Sequence, residues 1–380
     1  MTPTAAHPLV FFTGGTALRG LSGYLASRTG NTVHLVTPFD SGGSTAVLRS
    51  TFGMPAVGDM RNRLLALSDP GRVAPAVINL WMRRLPADGD QAALRAELTA
   101  MGRYDHAVWA GLPRVEAATL NSCLRVFLRA MPRSFDARGA SLGNLFMAGC
   151  YLAQDRSVTS VLGIFSRLLR VRGVVCPVVE ESLHLAAELE DGSVIVGQHL
   201  FKSIASPVTR VFLTVHEPRE GARARTACHP LATAATLRHL RAASLVCYPM
   251  GSFYTSVLAN LLPSGIGRTI ARNGCPKVFV PNTGRDPELL GRTLLDQVTA
   301  LIDTLRADCP DAPVTSLIDR VVLDSAHGDY GMDVGVFRSW LNERGIALVD
   351  APMVEEGGAS HDAAATGRLL LDMCRPDGNA

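Results

Sequence analysis

Leu9-Val10-Phe11-Phe12-Thr13-Gly14-Gly15-Thr16 is an apolar run ending in a glycine pair flanked by hydroxyls, and behind it Leu18, Leu21, Tyr24 and Leu25 recur at helical spacing. This order reads as strand, tight turn, helix. It points backbone N–H groups and the positive end of a helix at whatever lies above the turn. The layout recurs after the strand-like Val33-His34-Leu35-Val36, with Asp40-Ser41-Gly42-Gly43-Ser44 as the turn. A third segment, Gly58-Asp59-Met60-Arg61-Asn62, opens another helix, with Asp59 read as its N-cap and Arg61 and Asn62 in the first turn. One Gly-Gly turn is an ordinary βα connection. Three in succession predict a single phosphate cradle, because βα turns of an open parallel sheet converge outside the carboxyl ends of the strands.

Strands and helices alternate to about residue 70, and a helical stretch follows with members at about 73–85, 92–101 and 115–131. Residues 174–215 change character. Short β-rich runs at 174–179, 183–189, 193–196 and 209–215, with Asp191-Gly192 as a hairpin turn, predict an antiparallel excursion. The α/β alternation then resumes with strands at 244–248, 277–281, 320–324 and 346–350. Helices are expected at 232–242, 255–262, 289–306, 334–344 and 363–374. The expectation is one α/β domain over residues 1–380. It is a doubly wound, Rossmann-like parallel sheet with a helical insertion at about 73–131 and a β-rich excursion at about 174–215. The tail from Arg375 is polar.

The 380 residues, 47% of them hydrophobic, suffice for a large α/β core. No apolar run reaches the roughly 18 residues of a membrane span, and the N-terminus has no signal-peptide pattern. A soluble cytoplasmic protein is expected. A net charge of +3, with Lys202 and Lys277 the only lysines, gives no basic stripe and no aromatic interleaving, so nucleic acid is not an expected partner. Eight cysteines are scattered without a C-x-x-C pair, and ten histidines form no H-E-x-x-H pattern. Reduced thiols and no structural zinc site are expected.

Two further loops carry chemistry-bearing residues. Pro249-Met250-Gly251-Ser252-Phe253-Tyr254-Thr255-Ser256 joins a strand to a helix, with Ser252 and Thr255 beside free helix N–H groups, either as phosphate contacts or as simple caps. Gly139-Ala140-Ser141-Leu142-Gly143-Asn144 fits G-x-S-x-G, yet polar Arg133-Ser134-Phe135-Asp136 stands where a hydrolase elbow needs a buried strand. The segment is therefore read as a loop feeding a helix rather than as a serine nucleophile.

Taken in order, these five segments together with Asn260-Leu261-Leu262 resemble the CofD-like family, over residues 9–285. That family holds 2-phospho-L-lactate transferases of deazaflavin cofactor synthesis and YvcK-type gluconeogenesis factors. The stretch 180–192 is similar to the YvcK-type branch, and the chain also resembles CofD-related proteins of the so-called GAK system. The resemblance implies a Rossmann-like sheet holding a nucleoside-diphosphate conjugate of GDP or UDP type. In transferase members, a hydroxyl acceptor attacks the diphosphate and a nucleoside monophosphate leaves, with Mg²⁺ assistance; YvcK-type members bind nucleotide sugars as metabolic or cell-envelope regulators. On this resemblance Gly14, Gly15, Thr16, Gly42, Gly43, Ser44, Asn62, Ser141, Gly143, Asn144, Gly251, Ser252, Thr255 and Asn282 contact the substrate. Arg61 offsets charge on the leaving group, while Asp40 and Asp59 hold Mg²⁺ or orient the attacking hydroxyl. The chain departs from the family pattern at Ala17, usually glycine, at Ser41, usually acidic, and at Pro249-Met250, where Gly-Pro is usual. The oligomeric state is left open, a homodimer included.

Overall fold

The computed structural model describes residues 7–15, 17–216, 226–355 and 360–374. Thr16 and the tail from Arg375 lie outside the described residues. Ten strands occur among the described residues: β1 (Leu9–Thr13), β2 (Thr32–Val36), β3 (Val174–Pro177), β4 (His184–Leu189), β5 (Val194–Val196), β6 (Val208–Thr214), β7 (Leu245–Tyr248), β8 (Lys277–Phe279), β9 (Arg320–Leu323) and β10 (Ala347–Asp350). Seven of them form a parallel sheet in the order β3-β2-β1-β7-β8-β9-β10. Counted within the sheet, this is the 3-2-1-4-5-6 order of dinucleotide-binding folds with one strand added. The direction of winding reverses between β1 and β7, which pair in parallel through Leu9↔Leu245 to Phe11↔Cys247.

Every residue of β1 and β2 is buried, as strands covered on both faces require, the polar Thr32 and His34 of β2 included. One face carries Phe11, Leu245 and Val322 and is covered by α1 (Arg19–Arg28) and the helix Ala363–Asp372, where Gly367 lies against the Tyr24 ring. The opposite face carries Phe12, Leu35, Val246 and Phe279, against the helix Leu294–Arg306 and the antiparallel sheet β5-β4-β6.

A second core is mainly helical, with Val36 of β2 and Val175 of β3 joining it from the sheet. It gathers α2 (Gly43–Phe52), α3 (Gly58–Ala66), α4 (Pro75–Met82), α5 (Gln91–Met101), α6 (Arg114–Ala130), α7 (Leu142–Ala153) and α8 (Val158–Leu168) around Trp81, Phe127, Phe146 and Phe165. The Trp81 and Phe165 rings stand 4.9 Å apart. Helix α7 runs through the middle, its first ten residues all buried. Gly149 lets it touch α6, since a Cβ there would lie 1.9 Å from the Cys123 carbonyl oxygen.

The structure differs from the sequence reading in three places. β3, assigned from sequence to the antiparallel excursion, pairs with β2 in parallel as the edge of the main sheet, and only β4 to β6 form the small sheet. An apolar run of Val-Val-Cys-Pro does not reveal its partner strand. The expected helix at 255–262 begins as a π-helical turn, Phe253–Leu258, and continues through Ala259–Leu261. The helix expected from residue 289 starts at Leu294, after a capping box in which Thr293 and Asp296 exchange hydrogen bonds. No helix among the described residues is long and apolar enough to cross a membrane.

Candidate functional site

The turn after β1 is held from below by two buried side chains. Arg63 donates from Nη2 to the carbonyls of Gly14 (2.8 Å) and Gly15 (3.3 Å) and from Nη1 to Ser22 Oγ (2.7 Å). Burial pushes its pKa down to about 10, against the attraction of Asp59. Asn260 Nδ2 donates to the carbonyls of Thr13 (2.9 Å) and Ser256 (2.6 Å), tying β1 to the helix after β7. Gly14 is required by that closeness: a Cβ would lie 2.3 Å from Ser256 Oγ.

On the other side of the crevice three helix N-termini meet. Asp40 Oδ1 accepts from the Gly42 amide (3.0 Å) at the start of α2. Gly58, the first residue of α3, abuts α2 so closely that a Cβ would lie 2.6 Å from Thr45 Oγ1 and 2.7 Å from Asp40 Oδ2. Near the start of α7, Asn144 Nδ2 donates to Ser44 Oγ at 3.0 Å. Arg61 of α3 donates to Ser141 Oγ and, at 2.7 Å, to Asn62 Oδ1. Its pKa falls to about 10, chiefly through burial and then through Arg84. Orphan amides at such ends favour anions, each end contributing about 0.3–1 kcal/mol when exposed and up to about 2 when partly buried.

Asp59 is not the N-cap of α3; Val57 occupies that position and Asp59 lies in the first turn, 7% exposed. Burial, then the charge of Asp40, raises its pKa to about 7, opposed by Arg63, the Gly15 amide and Arg61. Its Oδ2 is buried without a hydrogen-bond partner. Such an atom costs stability unless something binds it.

A cavity of about 360 Å³ opens at the β1/β7 reversal, where the fold class places ligands. Of the residues proposed from sequence, Gly14, Gly15, Asp40, Gly42, Asp59, Gly251, Ser252 and Thr255 line it. Ser44, Arg61, Asn62, Ser141 and Asn144 form the hydrogen-bonded contacts described above rather than its wall, and Gly43 begins α2 with φ +47°. Gly143 packs where a Cβ would lie 2.7 Å from the Trp81 carbonyl. Ser141 is fully buried, with Arg61 on its hydroxyl and no strand before it, so it has no nucleophile's exposure. Asn282 accepts from the Gly251 amide and donates to the Gly251 carbonyl, both at 2.8 Å, and so shapes the loop.

Five contributors were not foreseen. Glu288, 1% exposed, accepts from the Tyr254 and Thr255 amides (3.0 Å each) and from Thr255 Oγ1 (2.6 Å); Asp286 accepts from the Phe253 amide at 2.9 Å. The helix end after β7 is thus already capped by carboxylates, which takes Thr255 out of phosphate binding. Burial raises Glu288 to about 7. His199 and Lys202 reach the cavity from a 3₁₀ turn, Gln198–Ser203, that follows β5. His199 Nδ1 lies 2.8 Å from Ser41 Oγ. Arg63 was the most legible of the five, because it shares the buried helical stripe of Met60, Leu64 and Leu67.

Among the described residues no three His, Cys, Asp or Glu side chains group around a point that could hold a metal. Asp40 and Asp59 do face one another closely enough to couple, and Asp59 keeps an unpartnered oxygen. That donor set fits Mg²⁺, which is bound through one or two carboxylates with substrate phosphates and water completing its shell.

A parallel sheet with its cavity at the winding reversal, beside the starts of α2 and α3 and the carboxylates Asp40 and Asp59, defines an α/β protein of the Rossmann-like class. The chain belongs to the CofD family: the family model described as 2-phospho-L-lactate transferase CofD matches residues 9–334. It is similar to the gluconeogenesis factor of Bacillus subtilis, at 30% identity over 80% of each chain. The gluconeogenesis factor of Halalkalibacterium halodurans is likewise 30% identical, over 78% of this chain and 73% of that protein. A crystal structure of a Bacillus halodurans protein, a member of the UPF0052 family, superposes with a TM-score of 0.68 at 24% identity, over 96% of this chain and 99% of that one. The likeness establishes the Rossmann-like fold.

Proposed function

We propose that this chain is a CofD-like transferase that binds a nucleoside-diphosphate-linked donor and passes its phospho-linked group to a hydroxyl acceptor. The observation that carries the reading is the cavity at the β1/β7 reversal, where Gly42 at the start of α2 and Asp59 in the first turn of α3 face the β1 turn, Asp40, Lys202 and His199. One helix end is far too weak for micromolar binding, which needs about 8 kcal/mol. The ends of α2 and α3, the β1 turn and Lys202 would therefore have to act on one ligand together.

Asp40 and Asp59 would hold Mg²⁺, which when bound neutralises charge on the diphosphate. The glycine turns after β1 and β2 orient the phosphates by backbone amides, and Lys202 offsets charge on the departing nucleoside monophosphate. The acceptor oxygen bonds to the donor phosphorus, the phosphoanhydride P–O bond breaks, and its electron pair leaves with the monophosphate. The hydroxyl proton passes to His199 Nε2, in the tautomer whose Nδ1–H donates to Ser41 Oγ. Donor and acceptor identity rest on experiment: purified protein with Mg²⁺ and GDP- or UDP-linked donors is assayed for acceptor-dependent release of nucleoside monophosphate. Saturable binding without release, against a broad panel of hydroxyl acceptors, sinks the transferase reading. It would favour the second one, a non-catalytic nucleotide-sugar-binding regulator, which is supported by the names of the curated relatives and by Ser41 standing at a usually acidic position.

A further inference from the structure

The small sheet β5-β4-β6 ends at β6, and a cavity of about 600 Å³ runs between that strand and the helix Leu294–Arg306. It shares no lining residue with the cavity at the β1/β7 reversal. Hydrogen-bond alternation fixes which way β6 faces. The Gly197 amide donates to the Leu185 carbonyl at 2.8 Å, so Leu185 of β4 turns its backbone groups toward β5 and Ala186 turns its own toward Phe212 of β6. Val211 and Leu213 of β6 therefore point theirs away from β4. Accordingly, the Leu213 carbonyl accepts from the Cys228 amide at 2.8 Å. At the other end of the strand, Arg292 donates to the Val208 carbonyl from Nη2 (2.7 Å) and Nε (3.2 Å). Between these two fixed points Val211 lines the cavity, and its N–H and C=O have no hydrogen-bond partner among the described residues. An unpaired strand edge is a template for one more strand.

The walls select what that strand carries. Val211, Leu213, Tyr254, Leu258 and Leu262 supply an apolar side. The helix opposite presents Asp296 and Asp303, seven residues and so roughly 10 Å apart along its axis. The cations of the groove are already engaged: Arg292 pairs with Glu190 at 2.7 Å, while Arg210 pairs with Glu188 at 3.4 Å and lies over the Phe212 ring. Asp303 is exposed and has no ion-pair partner among the described residues, and Asp296 is engaged only in the capping box with Thr293. The charge left unanswered is therefore negative. A second copy of β6 would not answer it, because Thr209, Val211 and Leu213 are uncharged and Arg210 is committed.

We propose that this groove is a docking site for an extended basic segment of a partner protein, which adds to β6 as a further strand through the Val211 N–H and C=O and sets alternate Lys or Arg side chains against Asp296 and Asp303. In such strand addition the main-chain bonds supply affinity and the side chains on alternate positions supply selectivity. Residues two apart on a strand face the same side about 7 Å apart, and the length of a basic side chain spans the remaining distance between the two carboxylates.

The test is fluorescence anisotropy of the full chain with a labelled peptide of alternating arginine and valine, at low and at physiological salt. Two comparison peptides accompany it. One carries glutamate for arginine; the other carries proline for valine, which keeps the charge and cannot pair as a strand. Both should bind about tenfold or more weakly than the first. Asp303→Lys should weaken the arginine–valine peptide about fivefold or more and flatten its salt dependence. Val211→Pro should weaken it about tenfold, and because the lost N–H lies off the ladder to β4, proline is tolerated there as on other edges. Should Val211→Pro lower Tm, Asp303→Lys and the two comparison peptides carry the decision. Absence of binding at millimolar peptide overturns the proposal. Equal binding of either comparison peptide, or unchanged affinity in Asp303→Lys, does the same. A parent chain that sediments as a dimer, and as a monomer in the Val211→Pro variant, gives the groove to a second copy and likewise overturns it.

Discussion

Replacing Asp59 with asparagine should make the empty protein more stable at neutral pH, although it removes a residue proposed to bind ligand. The carboxyl titrates near 7 in the folded chain against an ordinary value of 3.8, mainly because it is buried and secondarily because Asp40 is near. Between those values the folded state keeps a proton that the unfolded chain has released. Stability from this group is therefore greatest at low pH and is lost as pH rises through the folded pKa. About three pH units separate the values, each worth about 1.4 kcal/mol, so the loss is about 4 kcal/mol by pH 8. Asparagine has the shape of the protonated acid and cannot ionise. Urea unfolding followed by circular dichroism, at several pH values from 4.5 to 8.5 without divalent ions, should give curves that nearly meet at the acid end. They should diverge by up to about 4 kcal/mol in favour of the variant at the alkaline end. Glu288, also raised to about 7, gives both proteins a shared slope, so the difference between them isolates Asp59. Curves that stay parallel, or a variant less stable than its parent at pH 8, refute the claim that the site holds a costly carboxylate.

Gly14→Ala should cost about 1–3 kcal/mol by forcing the β1 turn away from Ser256, and Ser256→Gly should recover part of that loss in the double variant, as chemical denaturation can show. Arg63→Leu removes the donor to two carbonyls and Ser22 Oγ, and a loss of about 3 kcal/mol is expected in the same assay. Thr255→Val breaks the 2.6 Å bond to Glu288 and should lower stability by about 1–2 kcal/mol, with the alkaline half of the pH–stability curve moved most, because the ionised carboxylate loses a donor. Lys202→Ala should leave Tm within a degree or two of the parent, since the side chain is exposed, yet weaken pyrophosphate binding several-fold in calorimetry.

Local signals account for most of what could be read before the fold was known. The β1 turn and the Asp40-to-Ser44 turn each combine an apolar strand, glycines and a helical stripe within about a dozen residues, whereas the opening of α3 follows α2 with no strand before it. Pairing across distance was not readable. Glu288 reaches the helix end 33 residues before it, and nothing in Asp286-Pro287-Glu288 names its partner. His199 enters from an insertion whose docking depends on how β4 to β6 pack, and β3 joins β2 across more than 130 residues. The capping box at Thr293 was a local signal, passed over because Leu289 and Leu290 prolong the apolar pattern in front of it. Ser141 and Asn144 were placed beside the phosphate loops by resemblance, whereas their grip on Arg61 and Ser44 is visible only in three dimensions.

Helix α7 behaves as a spacer of fixed length. Its N-terminal glycine is seated on the Trp81 carbonyl and its later glycine on the Cys123 carbonyl, so it can slide neither along nor away from its neighbours. Enlarging the proposed ligand site by changing the residues that surround it would therefore meet resistance from the helical core, and the route to a wider site runs through α4 and α6. Variation among related chains in the size of side chains packed on those two helices becomes a ruler for ligand size, read at positions that never touch the ligand.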